Sequence, residues 1–343
     1  MRTLSLILAL VLPITAAAQD TFTPQHVARL RVVTEAVISP DGNQVAYVLA
    51  VPRDLSKEKD GGAWTELHVV DSKGNSTPFI TGQVNIGSIG WTADGKHITF
   101  LTKRDKDTTR CLYQIGAKGG EAKNIVSHST DIQGYSFHSN GARVAFLATE
   151  PMVKTKKAAV DQGFNQEIYE EDQPFVRVWI ATLESRATPS MLKLDGSASE
   201  LHFNPKEDKL AVALAPSPGI DDHIMFRKVH IVDLDGPGRK ASIQIKKLDN
   251  PGKLGQLAWS QDGKRLAIIS GADKHDPKES QLWTYDVPSK EWDESLSSKR
   301  ERIHIESIAW QDSGIVQFLA SVGTSTMWAD KTVREFGYRE PFH

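Results

Sequence analysis

The chain has 343 residues, 39% of them hydrophobic, enough to build a sizeable core. Its 41 basic and 43 acidic residues leave a formal net charge of −2, without the basic surplus that a nucleic-acid-binding face uses. The single cysteine, Cys111, excludes an intramolecular disulfide, a CxxC redox motif and a cysteine-based metal site, and it is expected to act as a small buried hydrophobe.

In chain order, residues 1–18 read as an export signal. Arg2 supplies the positive start, Leu4 to Leu12 a short apolar run, and Ala16-Ala17-Ala18 the small residues for cleavage between Ala18 and Gln19. The run is too short to span a bilayer, no cysteine follows it, and no later segment is long and apolar enough to span. The expectation is a periplasmic or secreted protein without a membrane span. Residues 19–34 form an N-terminal segment with a short helix. Thr23 suits the N-cap and Pro24 the first helical position, so the helix is expected over Pro24 to Leu30.

From residue 35 to 343 the chain repeats itself. Six copies of one pattern each place a large apolar residue before a tight polar turn. They are Ile38-Ser-Pro-Asp-Gly42, Trp91-Thr-Ala-Asp-Gly95, Phe137-His-Ser-Asn-Gly141, Phe203-Asn-Pro-Lys-Glu207, Trp259-Ser-Gln-Asp-Gly263 and Trp310-Gln-Asp-Ser-Gly314. An apolar-x-apolar strand follows each turn, such as Val45-x-Tyr47 and Ile98-x-Phe100, and the last copy is one residue short after its Gly. The Asp-Gly and Asn-Gly pairs supply the positive φ of a hairpin. A third strand recurs as Leu67 to Asp71, Leu112 to Gly116, Val178 to Thr182, Val229 to Asp233 and Leu282 to Asp286, and a weaker fourth as Thr77 to Ile80. Four short strands per repeat of about 50 residues predict an all-β fold, a β-propeller of about six four-stranded antiparallel blades. Thr326-Met327-Trp328 starts a third strand in the sixth copy without a clear signal after it. That last blade is therefore expected to be incomplete or to need the N-terminal strand for closure. The column Ile38, Trp91, Phe137, Phe203, Trp259 and Trp310 is expected to pack between blades.

Insertions concentrate between second and third strands, which puts them on one face of the propeller, the face expected to carry function. The longest runs from Thr149 to Phe175. It opens on Lys154, Lys156 and Lys157 and contains Tyr169-Glu170-Glu171. Two adjacent carboxylates make a strong local field for an ammonium group, such as a peptide amino terminus. The competing reading is a solvated charge run paired with those lysines or with Arg177. The other candidate is the central channel lined by the inner strands, a generic feature of the fold.

Catalytic motifs are absent from the sequence. There is no Gly-x-Ser-x-Gly elbow (Gly87-Ser88-Ile89-Gly90 falls short of it), no His-Glu-x-x-His and no phosphate loop. Asp105-Lys-Asp107 lacks calcium-loop spacing and the eleven histidines are scattered. No catalytic residue, metal ligand or cofactor is expected.

The opening Phe22-Thr-Pro-Gln25, Leu30-Arg31, Ile38-Ser-Pro-Asp-Gly42 and the Trp/Phe-x-x-Asp-Gly repeats resemble the N-terminal propeller of the prolyl oligopeptidase family, its acylaminoacyl-peptidase and dipeptidyl-peptidase branches above all. The repeats alone are also similar to TolB-type propellers. The resemblance covers essentially all of the chain after the signal. It implies a propeller that gates or selects peptides for an α/β-hydrolase domain bearing a Ser-Asp-His triad, a domain missing from this sequence. In the dipeptidyl-peptidase branch it implies that a Tyr-Glu-Glu segment, matched by Tyr169-Glu170-Glu171, anchors the substrate's free amino terminus. The expected partners are peptides or a protein, with a separate or missing hydrolase domain. The alternative is a free-standing TolB-like propeller that binds a protein or peptide in the cell envelope.

Overall fold

The repeated turns are locked by their own side chains. In the first, Ser39 Oγ donates to Asp41 (2.6 Å) and accepts from the Gln44 N–H (2.9 Å), while Asp41 accepts from the Asn43 N–H (3.1 Å). The Gly42 N–H closes on the Ser39 carbonyl (2.9 Å), with Gly42 at φ +74°, where a side chain would be strained. Thr92/Asp94/Gly95 and Ser260/Asp262/Gly263 repeat the arrangement. In the sixth copy Asp312 instead accepts from the Gly314 and Ile315 N–H groups, and Gly314 stays out of the left-handed region. A local side-chain cap therefore stands in for the shortened spacing.

The computed structural model describes residues 22–168, 173–184, 188–234, 244–276, 278, 280–296 and 303–333. These turns join strands into six antiparallel sheets, each in chain order from an inner to an outer strand. Blade one comprises β1 (Val32–Ile38), β2 (Gln44–Val51), β3 (Trp64–Asp71) and β4 (Ser76–Ile80). Blade two comprises β5 (Gly87–Trp91), β6 (His97–Thr102), β7 (Cys111–Gly116) and β8 (Lys123–Val126). Blade three has β9 (Ile132–Phe137), β10 (Arg143–Thr149), β11 (Val176–Thr182) and β12 (Ser190–Met191). Blade four has β13 (Ser197–Phe203), β14 (Lys209–Ala215), β15 (Lys228–Asp233) and β16 (Gln244–Lys247). Blade five has β17 (Leu254–Trp259), β18 (Arg265–Ser270), β19 (Gln281–Asp286) and β20 (Glu291–Leu296). Blade six shows three strands among the described residues, β21 (His304–Trp310), β22 (Ile315–Val322) and β23 (Ser325–Thr332). The fold is thus an all-β propeller.

The N-terminal helix α1 (Pro24–Val27) ends three residues earlier than Leu30, and the Thr23 side chain caps it as expected. The insertions in blades three and four carry helices α2 (Lys154–Asp161) and α3 (Ile220–Met225). Cys111 is buried and free.

Apolar side chains from facing sheets form five cores, at the junctions of blades one and two, two and three, three and four, four and five, and five and six. The second strands record this. β6, β10, β14 and β18 are buried on both faces. In β2 only Ala46 and Val48 are buried, and in β22 only Val316, Phe318 and Ala320. No core among the described residues joins blade six to blade one. Ile38, expected inside, is 69% exposed because among the described residues no preceding blade covers it, whereas its counterparts Trp91, Phe137, Phe203, Trp259 and Trp310 are all at least half-buried.

Candidate functional site

All six inner strands contain a bulge, where one extra residue interrupts the ladder. At three junctions a side chain at or next to the bulge clasps the next blade. Glu35 accepts from the Ile89 N–H (2.8 Å), Glu200 from the Leu257 N–H (3.3 Å), and Gln256 from the Ile308 N–H (2.8 Å). Each acceptor stands three residues before its turn's apolar residue, and each donor two residues before the next one. A second clasp runs the opposite way. The indoles of Trp91, Trp259 and Trp310 donate to the carbonyls of Val37, His202 and Ala258 on the preceding blade (3.1, 3.0 and 2.9 Å).

Blades two, three and four break the pattern. Ser88 and Gly134 occupy the clasp position, and Phe137 and Phe203 replace the indole, so both clasps are lost together. Tyr135 crosses instead. Its hydroxyl donates to the Ser88 carbonyl (2.8 Å) and meets Thr99 Oγ1 (2.8 Å). Gly90 leaves room for this, since a Cβ there would sit 3.3 Å from the Tyr135 oxygen and 3.2 Å from Thr99 Oγ1. Ser88 is held at φ +51° in the bulge. From blade three to blade four, Ser136 Oγ accepts from the Phe203 N–H (2.9 Å).

A cleft of about 1420 Å³ lies along the inner strands of blades one to four, which include both junctions without the paired clasps. Its walls include Glu35, Tyr135, His138, Glu200, His202 and Lys206. Burial raises the Glu35 carboxyl above the usual range against its backbone hydrogen bonds and Arg110, and burial lifts the Tyr135 phenol well above its ordinary value, so Tyr135 is a neutral donor. Glu200 holds His202 (2.7 Å). At the mouth Arg143 pairs with Asp208 of the next blade (2.7 Å), and His138 Nε2 lies 3.6 Å from the other Asp208 oxygen. A smaller cavity of about 430 Å³ adjoins these residues.

The walls offer hydrogen bonds, the four carboxylates of Glu35, Asp94, Glu184 and Glu200, and aromatic faces. His202 is engaged with Glu200, and His138 accepts from the Asn140 N–H (3.2 Å); among the described residues neither ring is hydrogen-bonded to a serine hydroxyl. Among the described residues no cluster of three His, Cys, Asp or Glu side chains is placed to hold a metal.

Tyr169, Glu170 and Glu171 lie outside the described residues, as do residues 1–21. Arg177, one potential partner of that pair, is committed elsewhere: it bonds Glu150 (2.7 Å) and the Leu194 and Gly196 carbonyls (3.2 and 2.8 Å) and stacks on Phe175. Sequence reasoning points to the channel only as a generic feature and misses its lining residues. The Glu35, Glu200 and Gln256 register, interrupted by Ser88 and Gly134, marks in the sequence which junctions carry the clasp.

No family model matches the chain. A curated relative, the Uncharacterized peptidase YuxL of Bacillus subtilis (strain 168), is 30% identical over 94 residues, 27% of this chain and 14% of that protein. The acylaminoacyl peptidase of Pyrococcus horikoshii superposes with a TM-score of 0.61 at 13% identity, over 90% of this chain and 47% of that one. TolB from Acinetobacter baumannii superposes at 0.51 and 16% identity, over 85% and 61%. The chain thus spans less than two thirds of each of these proteins. Its fold is that of the β-propellers found in acylaminoacyl peptidase and TolB.

Proposed function

We propose that this chain is the non-catalytic, peptide-admitting propeller of an exported serine peptidase of the prolyl oligopeptidase type, with the hydrolysing domain outside these 343 residues. The observation that carries the reading is the cleft. It is larger than the roughly 300–1,000 Å³ of a small-ligand pocket, it runs along the inner strands, and it presents carboxylates and hydrogen-bonding groups without a nucleophile and base in contact. The partial likeness to a bacterial peptidase points the same way. In this reading a peptide enters along the inner strands, its charged or polar groups meet Glu35, Glu200 and His202, and the width of the cleft limits what passes. Tyr169, Glu170 and Glu171 anchor the free amino terminus, and the segment before Gln19 is removed on export.

The test uses purified mature chain. Dipeptidyl and acyl-peptide reporters should remain uncleaved, while short fluorescent peptides bind. Reporter cleavage that tracks with the chain through purification, or no binding of any peptide, would contradict the reading. Replacing Glu170 and Glu171 by Gln should erase the preference for free over N-acetylated peptides; equal affinities in the parent remove the anchoring role. Mass spectrometry of the exported protein should find Gln19 as its first residue. The likeness to TolB favours a second reading, a free-standing propeller that binds an envelope protein, which predicts capture of a folded protein and indifference to short peptides.

A further inference from the structure

Among the described residues blades six and one share no core, and the seam between them has the makings of another blade junction. Blade one turns toward it Val45, Tyr47 and Leu49 of β2, all partly exposed on the face opposite the buried Ala46 and Val48, and Ile38 stands at its inner end. Across the seam blade six presents Leu319, 41% exposed, and its register partner Trp328, 52% exposed, on the face opposite Val316, Phe318 and Ala320. A flat apolar sheet face packs best against another sheet. The repeated indole clasp adds an anchor point. The indole of one blade bonds the carbonyl just before the preceding blade's apolar turn residue, at Val37, His202 and Ala258. The equivalent in blade six is Ala309, which pairs with Gln317 as His202 and Ala258 pair with Ala211 and Ala267.

We infer that the seam is a docking groove for one four-stranded antiparallel blade of a partner polypeptide. Its inner strand places an indole on the Ala309 carbonyl, and its two apolar faces cover Leu319 and Trp328 on one side and Ile38, Val45 and Leu49 on the other. Such a blade continues an interface the protein already builds five times, and its docking is independent of whether the cleft admits peptides.

Thiol labelling tests it, because the one native cysteine is buried. Ile38→Cys and Leu319→Cys variants of the full chain should label readily as monomers. A copy of blade five, residues 253–296, is then tethered after residue 343 as a surrogate occupant that carries its own Trp and Gln clasps. Tethering should slow labelling at both positions roughly tenfold or more, and replacing the tethered copy's indole by Phe should return part of the rate. Slow labelling in the untethered monomer would mean the six blades close on themselves and would overturn the inference. Slow labelling that appears only with self-association would assign the groove to a second copy and would also overturn it. Sites that both stay reactive beside a tethered blade whose own second strand is protected from amide exchange would overturn it as well.

Discussion

The junction between blades four and five and the junction between blades two and three are built from the same repeat and hold differently. At the first, Glu200 and Trp259 clasp in opposite directions and Asn204 donates to the Gly263 carbonyl (2.7 Å). At the second, Ser88 supplies no such side chain and Phe137 no donor, and Tyr135 makes the crossing. Both junctions have full apolar cores. The apolar core is therefore common to both junctions. The polar crossings are what differ between the two junctions, and the cleft lies along the inner strands of blades one to four, which include both junctions that lack the paired clasps.

The two junctions should respond most strongly to a change in the core. Phe146→Ala empties a fully buried site between blades two and three and should cost about 3–5 kcal/mol in denaturant melts. A loss under about 1 kcal/mol would mean the Tyr135 crossing carries that junction. Tyr135→Phe strips the Ser88 carbonyl of its buried partner and should cost about 1–3 kcal/mol. Gly134→Glu tests the cleft directly. A Cβ at Gly134 meets only Leu147 Cδ1, at an ordinary 3.8 Å, and the new carboxylate stands in the clasp position. Peptide affinity should fall roughly tenfold or more, about 1.4 kcal/mol, with the fold intact. Trp259→Phe should cost about 0.5–1.5 kcal/mol through the loss of its indole bond to His202.

The smallest effect is in acid. Hydrogen bonds from Thr92 and Lys96 hold the Asp94 carboxyl down at about 2 against the usual 3.8. The folded pKa lies below the unfolded one, so this contribution is present above pH 3.8 and is lost as pH falls through about 2. Asp94→Asn should flatten that part of the stability curve by lowering stability slightly at neutral pH and leaving it nearly unchanged at about pH 2 and below. Glu35 has the opposite sign. Its raised pKa favours folding at low pH and loses that advantage as pH rises through the folded value, so Glu35→Gln should ease the neutral end.

Much of the architecture was legible because it is written locally. A hairpin signal such as Ser39-x-Asp41-Gly42 needs only its own residues, and all five anticipated third strands appear in place. The place of Ile38 was not legible, because its sequence context matches the buried column while its exposure depends on a neighbour hundreds of residues away. The distribution of the clasps was hidden for a related reason. Ser88 and Gly134 look ordinary in one strand, and their meaning emerges only beside Glu35, Glu200 and Gln256 in the same register of other blades. The sixth blade's irregular turn was visible in the sequence, but the Asp312 cap that rescues it was not.

Whether peptides enter along the inner strands of blades two to four is tested most directly by amide hydrogen exchange of the chain with and without a saturating short peptide. Protection should gather in β5, β9 and β13 and in the turns after them, with blades five and six unchanged. Protection confined to the α2 and α3 insertions, or spread evenly around the propeller, would contradict peptide entry at the cleft.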